Sequence, residues 1–383
     1  MRCSQTAVFR LRLLGIAVAV LSVCFAPQWS AVASLPNPDA LQRASALAQS
    51  GQSVDLPAGV CAITEPIRLR SGARLIGAGQ DKTVIHYASS KPGVMVSLQG
   101  CENVEVGQLT LDAENNPKVQ QGIAAGNARR LRLHHLTIRN LAQGGGFGPH
   151  GILFAGVNPT RAHGVTDSDS GIGFHYFYRC RFNHTSSHRG KPSYPRDAGH
   201  GFRTNGNVHD CVFEDCEFSE NDGYGLQFGG SGLDAFSFLR CAVRANKGPA
   251  MVGLRDYRAL EWIDCTTSGN ATDELPPQKP FGQPAPVANF KALAKARAGE
   301  AIRFASNSRS AAGRVAAALW DFNDGSPVSE VNPTHIYARP GHYRVTLVVW
   351  DESGRAGRVE QPLEVTSMSM PMPDGASSHS QQN

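Results

Sequence analysis

Cys211-Val212-Phe213-Glu214-Asp215-Cys216-Glu217-Phe218 decides the fold, because it returns in altered form down the chain. It returns 25 residues later as Phe236-Ser237-Phe238-Leu239-Arg240-Cys241-Ala242-Val243, and after 24 more as Leu260-Glu261-Trp262-Ile263-Asp264-Cys265-Thr266-Thr267. The pattern is apolar-x-apolar-x-x-apolar-x-apolar. Upstream it reads Val104, Val106, Leu109, Leu111, then Leu131, Leu133, Leu136, Ile138, then His175, Phe177, Cys180, Phe182. Each copy is two strands of period two, separated by a corner where the phase slips. A third short segment opening on glycine or alanine lies between copies: Gly122-Ile123, Gly151-Ile152, Gly201-Phe202, Gly225-Leu226 and Ala250-Met251.

Three short strands in a turn of ~24 residues cannot bury their own apolar edges, so successive turns must stack. Parallel crossovers of this kind are right-handed. The expected body is therefore a right-handed parallel β-helix, an all-β solenoid. Stacking puts Cys180, Cys216, Cys241 and Cys265 in one column, ~4.8 Å apart from turn to turn. There they serve as small hydrophobes; a zinc site is the alternative, although metal-binding cysteines cluster in short paired motifs.

Upstream, Pro38 to Gln49 reads as a short helix covering the first open edge. Val54-Asp55-Leu56-Pro57-Ala58-Gly59-Val60 and Leu75-Ile76-Gly77-Ala78-Gly79 follow. From Pro38 to about Asn270 the chain resembles the pectate-lyase superfamily, whose N-terminal turns pair a capping helix with an LPAGVY-like strand and an L-x-GAG turn. That superfamily spans lyases, hydrolases, epimerases and phage tailspikes, so the resemblance implies fold rather than activity.

The N-terminus reads as an export signal: Arg2, Arg10 and Arg12, the uncharged run from Leu13 to Ala26, and Ala31-Val32-Ala33 before Ser34. Later segments have no run of ~18 apolar residues. The expected location is periplasmic or extracellular. The formal charge of +5 falls to about +2 once those arginines leave, too little to argue for nucleic acid. Of nine cysteines, Cys3 and Cys24 lie in the signal. The remainder is odd, and the pairing of Cys61, Cys101 and Cys211 stays open.

The expected divisions are 1–33 signal, 34–270 solenoid, 271–286 proline-rich linker, 287–367 sandwich and 368–383 disordered tail. Trp320-Asp321-Phe322-Asn323-Asp324-Gly325 and Pro340-Gly341-His342-Tyr343-Arg344-Val345-Thr346-Leu347 resemble the WDFGDG turn and PGxYxVTL strand of polycystic-kidney-disease (PKD) domains, with Asn323 in place of glycine. The resemblance implies an immunoglobulin-like β-sandwich without catalytic residues. Asp321 and Asp324 suit turn hydrogen bonding or, alternatively, calcium.

Candidate chemistry sits on the glycine-led strands. Their outward positions are Ala124 and Gly126, Leu153 and Ala155, Arg203 and Asn205, Gln227 and Gly229, Val252 and Leu254, with His150, His200 and Tyr224 as a column at the strand entrance. The insertion from His184 to Gly199 adds Arg189, Lys191, Tyr194 and Arg196, so this is the most cationic region. A cationic cleft suits an acidic polysaccharide. Uronate elimination needs a cation, a base and an acid. Arg203, His200, Lys191 and Tyr194 are the catalytic candidates; Asn205, Gln227, Arg196, Arg189, His150 and Tyr224 would hold substrate.

No outward strand position holds the two carboxyl groups of a glycoside hydrolase. Gly199-His200-Gly201 resembles the polygalacturonase GHG motif, without that family's aspartates. The alginate-epimerase DPH motif is likewise absent. Calcium, as in pectate lyases, is possible, and no metal ligands are assigned. The expected function is a lyase or C5-epimerase on a uronic-acid polymer; the alternative is a non-catalytic polysaccharide- or cell-surface-binding adhesin. His209 reads as a surface residue and His175 as a core histidine. Oligomeric state is not legible.

Overall fold

The structure is a computed structural model that describes residues 53–142, 149–155, 172–186, 199–206, 208–229, 234–254, 257–291, 295–324 and 330–367. The expected capping helix, export signal and C-terminal tail lie outside the described residues. Those described are all-β, with no helix among them.

From residue 53 to 268 every strand pairing is parallel, in a 14-stranded and a 7-stranded sheet. The chain visits the same strand columns in the same order. In one turn Ile172–Tyr178 leads to Arg181–Ser186 and then His200–Asn205; in the next, Val208–Glu214 leads to Glu217–Ser219 and Leu226–Gly229. Each strand pairs with its counterpart one turn on, as in Phe177↔Phe213↔Phe238↔Trp262.

The phase slip read in the sequence has a backbone cause. A residue at each corner is left-handed: Gln108, His135, Arg179, Asp215, Arg240 and Asp264, with φ between 44° and 55°. Such a conformation costs a side-chain-bearing residue roughly 1–2 kcal/mol. Here the corner amide is used, since Arg179, Asp215 and Arg240 each donate to a carbonyl of the following turn at 2.7–2.9 Å.

Inside the parallel-stranded domain like packs on like. Phe177, Phe213, Phe238 and Trp262 stack face to face at 4.4, 4.7 and 4.2 Å between centroids. Cys180, Cys216, Cys241 and Cys265 form the expected column as free thiols. Each donates to a carbonyl of the preceding turn, of Leu133, Phe177, Phe213 and Phe238 respectively, at 3.2–3.5 Å. Burial raises the pKa of Cys216 and Cys241, which suits a packing role. Cys61, Cys101 and Cys211 are also free thiols.

A second column, unread in the sequence, is Asn221, Asn246 and Asn270. Asn221 Nδ2 donates to Asn246 Oδ1 at 2.8 Å and Asn246 Nδ2 to Asn270 Oδ1 at 2.7 Å, while each amide also donates to a backbone carbonyl. The spacing matches that of the cysteines, so periodicity could have revealed it.

The proline-rich stretch read as a linker lies across the last turn. Lys279 exchanges backbone hydrogen bonds with Leu260, and Trp262 Nε1 donates to the Pro276 carbonyl. It covers the edge that the stack would otherwise leave open.

The C-terminal sandwich has a four-stranded sheet of Lys295–Arg297, Ala356–Thr366, Gly341–Asp351 and Val315–Asp321, faced by two two-stranded pairs. Trp320, Phe304, Phe322, Tyr337, Leu347 and Val349 fill its core. Alternation sends Ala317, Leu319, Val348 and Trp350 out of the opposite face. These meet Phe174, Tyr176 and Val212 of the parallel domain in one buried apolar cluster. Gly354 comes so close that a Cβ there would fall 1.8 Å from Asp210 Oδ1.

Candidate functional site

Two outer faces of the parallel domain carry clustered polar side chains. On the seven-stranded sheet, His150 and His200 are register partners whose rings stack at 5.3 Å, and Tyr224 stacks on His200 at 4.8 Å. Parallel pairing repeats the same position turn after turn, so flat rings there must lie one above another. The next outward column is Leu153↔Arg203↔Gln227, and beyond it Ala155↔Asn205↔Gly229. Arg203, Gln227 and Tyr224 are half-buried and Asn205 is exposed. The structure thus brings together His150, His200, Tyr224, Arg203, Gln227 and Asn205. Lys191, Tyr194, Arg189 and Arg196 lie outside the described residues.

Both imidazoles are buried within the ladder. His150 is 2% exposed and His200 0%. Burial, then the neighbouring His200 and Arg203, hold His150 well below the ordinary histidine range, so it is neutral at pH 7. Its Nε2 faces Arg203 Nη1 at 3.1 Å, and His200 Nδ1 accepts the Tyr224 amide at 2.9 Å. Arginine has no lone pair to offer, so His150 Nε2 is the acceptor. Those lone pairs hold the ladder together and orient Arg203.

The second cluster lies on the 14-stranded sheet, under the sandwich. Glu105 is fully buried and meets Arg132, His134 Nε2 at 2.7 Å and Arg74 Nε at 3.4 Å. Arg132 also pairs with Asp321 of the sandwich. Burial, then Arg132, hold His134 well below its ordinary range. Farther along, Tyr176 Oη donates to Glu214 Oε2 at 2.6 Å, Arg240 reaches Glu214 at 2.5 Å, and Arg355 pairs with Glu261 at 3.0 Å. The sequence reading missed this network, because charged residues at alternate strand positions look solvated until another domain covers them.

That cover also corrects His209. It is buried, 3% exposed, with Nδ1 at 2.6 Å from Asp210 Oδ2, inside a strand (Val208–Glu214) that is buried throughout. Leu254, expected to face outward, packs in the core cluster, whereas His175 is in the core as expected. Asp321 accepts the Asn323 amide at 2.8 Å and Asp324 lies 2.7 Å from His335 Nε2, so both carboxylates have protein partners. Among the described residues, no three His, Cys, Asp or Glu side chains gather so as to hold a metal ion.

The sandwich has its own core, and its stretch 283–367 matches the family described as PKD domain. Residues 283–367 are a PKD domain. Collagenase ColQ1 of Bacillus cereus (strain Q1) is 37% identical over 87 residues, 22% of this chain and 9% of the collagenase. The pre-pro-metalloprotease PrtV of Vibrio cholerae serotype O1 (strain M66-2) is 33% identical over 81 residues, 21% of this chain and 8% of that protein. The solved PKD1 domain of Vibrio cholerae PrtV is 32% identical, covering 22% of this chain and 99% of that domain, with a TM-score of 0.20. The chain therefore spans less than a tenth of the length of these curated relatives.

These matches correct the expected function. A polysaccharide lyase or C5-epimerase, and the adhesin alternative, give way because the relatives sharing the PKD domain are collagenases and a metalloprotease. His200, expected as a catalytic group, is buried and its Nδ1 accepts a backbone amide.

Proposed function

We propose that this chain is an exported protein associated with protein breakdown, whose PKD domain engages a protein substrate of the kind collagenases act on. The parallel-stranded domain, read as a right-handed β-helix of the pectate-lyase type, is the rigid body carrying that module. The observation behind this reading is the 37% identity over 87 residues with a collagenase. Export rests on the N-terminal signal pattern.

The docked arrangement bears on which surface can engage substrate. The outward face of the PKD four-stranded sheet is occupied by Phe174, Tyr176 and Val212. Substrate contact therefore falls to the opposite side, where Thr334–Ile336 pairs with Ala301–Arg303 and Ile336 is 54% exposed.

The test is cosedimentation of the full exported chain with insoluble fibrillar collagen, alongside a gelatin-cleavage assay. Binding without cleavage is expected, with Ile336→Asp weakening it about fivefold or more, as for a central apolar contact. No cosedimentation would overturn the substrate reading. Gelatin cleavage would overturn the purely supporting role of the parallel domain.

A further inference from the structure

At the opposite end of the seven-stranded sheet from the last turn, a groove of about 350 Å³ opens across three successive turns. Its lining includes Arg68, Tyr87, Lys91, Ser97, Gln99 and Gln121. The placement follows from register. Arg68 pairs with Ser97, and that column continues through Ala124 and Leu153 to Arg203 and Gln227. Arg68 thus stands on the same outward column as the ring-ladder arginine, nearer the start of the stack.

Arg68 is exposed, and among the described residues its side chain has no hydrogen bond or ion pair. Most other arginines of this domain are committed: Arg74, Arg130, Arg132, Arg139, Arg179, Arg240, Arg244 and Arg258 all pair with carboxylates. Lys91 is 4.0 Å from Glu65, at the limit of an ion pair. Tyr87 walls the groove, its hydroxyl donating to the Lys91 carbonyl at 3.3 Å. Gly93 leaves room for that hydroxyl, because a Cβ there would fall 2.2 Å from it and push Tyr87 aside.

We propose that this groove binds a carboxylate group, held by the Arg68 guanidinium and flanked by the Gln99 and Gln121 amides and the Ser97 hydroxyl. A planar guanidinium fork matches a carboxylate with two parallel hydrogen bonds. Neutral amides and a hydroxyl add donors without adding charge. The charged lining is Arg68 and Lys91 against Glu65, a net single positive charge that one carboxylate neutralises, whereas a phosphate dianion would leave a negative charge uncompensated. The site is independent of the PKD domain, so it stands or falls separately from the substrate reading above. Its carboxylate can come from an acidic side chain of an extended peptide or from a free small acid.

Titration calorimetry on the full chain at pH 8 separates these sources, using propionate and an acetylated, amidated Gly-Glu-Gly peptide, each a monoanion, with inorganic phosphate as the dianionic comparison. One or both carboxylates should bind, and phosphate should bind at least tenfold more weakly. The peptide binding more tightly assigns the site to polypeptide; propionate binding more tightly assigns it to free acids. Arg68→Gln should weaken binding about tenfold or more, while Arg70→Gln, which removes the same charge outside the groove, should leave it within twofold. Gly93→Ala, which displaces Tyr87, should weaken it with the melting transition still cooperative. Equal losses in Arg68→Gln and Arg70→Gln, preference for phosphate, or no heat with either carboxylate would overturn the proposal.

Discussion

The two outer faces of the parallel domain are built from one repeat and end in opposite conditions. On the 14-stranded sheet the PKD domain lies over Glu105, Arg132 and His134, so charges that would sit in water are enclosed and must satisfy one another. On the seven-stranded sheet, Arg68 is exposed and Arg203 half-buried. A charge on a repeating strand is therefore not informative by itself. What lies over it decides whether it is a structural tie or a site.

The largest expected effect is on the covered face. Arg132→Ala removes the cation between Glu105 and Asp321 and leaves a buried carboxylate with Arg74 as its remaining cationic partner. Breaking a buried pair from one side costs about 3–5 kcal/mol. A urea melt should show that loss, and hydrogen exchange should report faster opening of the strand carrying Val348 and Trp350. An unchanged melt would mean the two domains do not depend on this tie.

Acid should reveal the next effect. Burial pushes His175 down to about 3, so it is neutral when folded, whereas the unfolded chain protonates near 6.5. Below pH 6.5 the unfolded state thus binds more protons, and stability falls as pH drops from 6.5 towards 3. The slope is up to about 1.4 kcal/mol per pH unit for one histidine, or roughly 2 kcal/mol by pH 5. His134 and His150, also shifted down by burial, act in the same direction. Melting temperatures of His175→Phe against the parent, from pH 7 to 4, should differ in slope by one proton. Parallel curves would show that His175 is not held neutral by its surroundings.

The smallest effect belongs to the open face. Arg203→Gln should cost less than about 1 kcal/mol at a half-buried position. It should nonetheless raise the His150 pKa, because Arg203 is one of the charges holding it down. An imidazole NMR titration reads this directly. An unmoved His150 would show that Arg203 takes no part in setting its state.

The sequence made some residues of the candidate site legible and hid others for identifiable reasons. His150, His200 and Tyr224 were found because they recur at one position of the repeat, and the structure stacks them. Asn221, Asn246 and Asn270 carried the same signal and went unread. Glu105 and Arg132 share one position of the repeat, but Asp321, which completes their network, is 189 residues from Arg132 and carried no such signal. His209 was misplaced for the same reason: nothing local tells that Trp350 and its neighbours lie over that face.

The sequence by itself determined the repeating unit, its columns of cysteine and phenylalanine, and the PKD signature, because each depends on residues close in the chain or equally spaced along it. Only the tertiary structure decided which face of the PKD sheet docks, which charges become buried, and that the proline-rich stretch covers the last turn. Those outcomes depend on shape and charge meeting across long separations, where no periodicity links the partners.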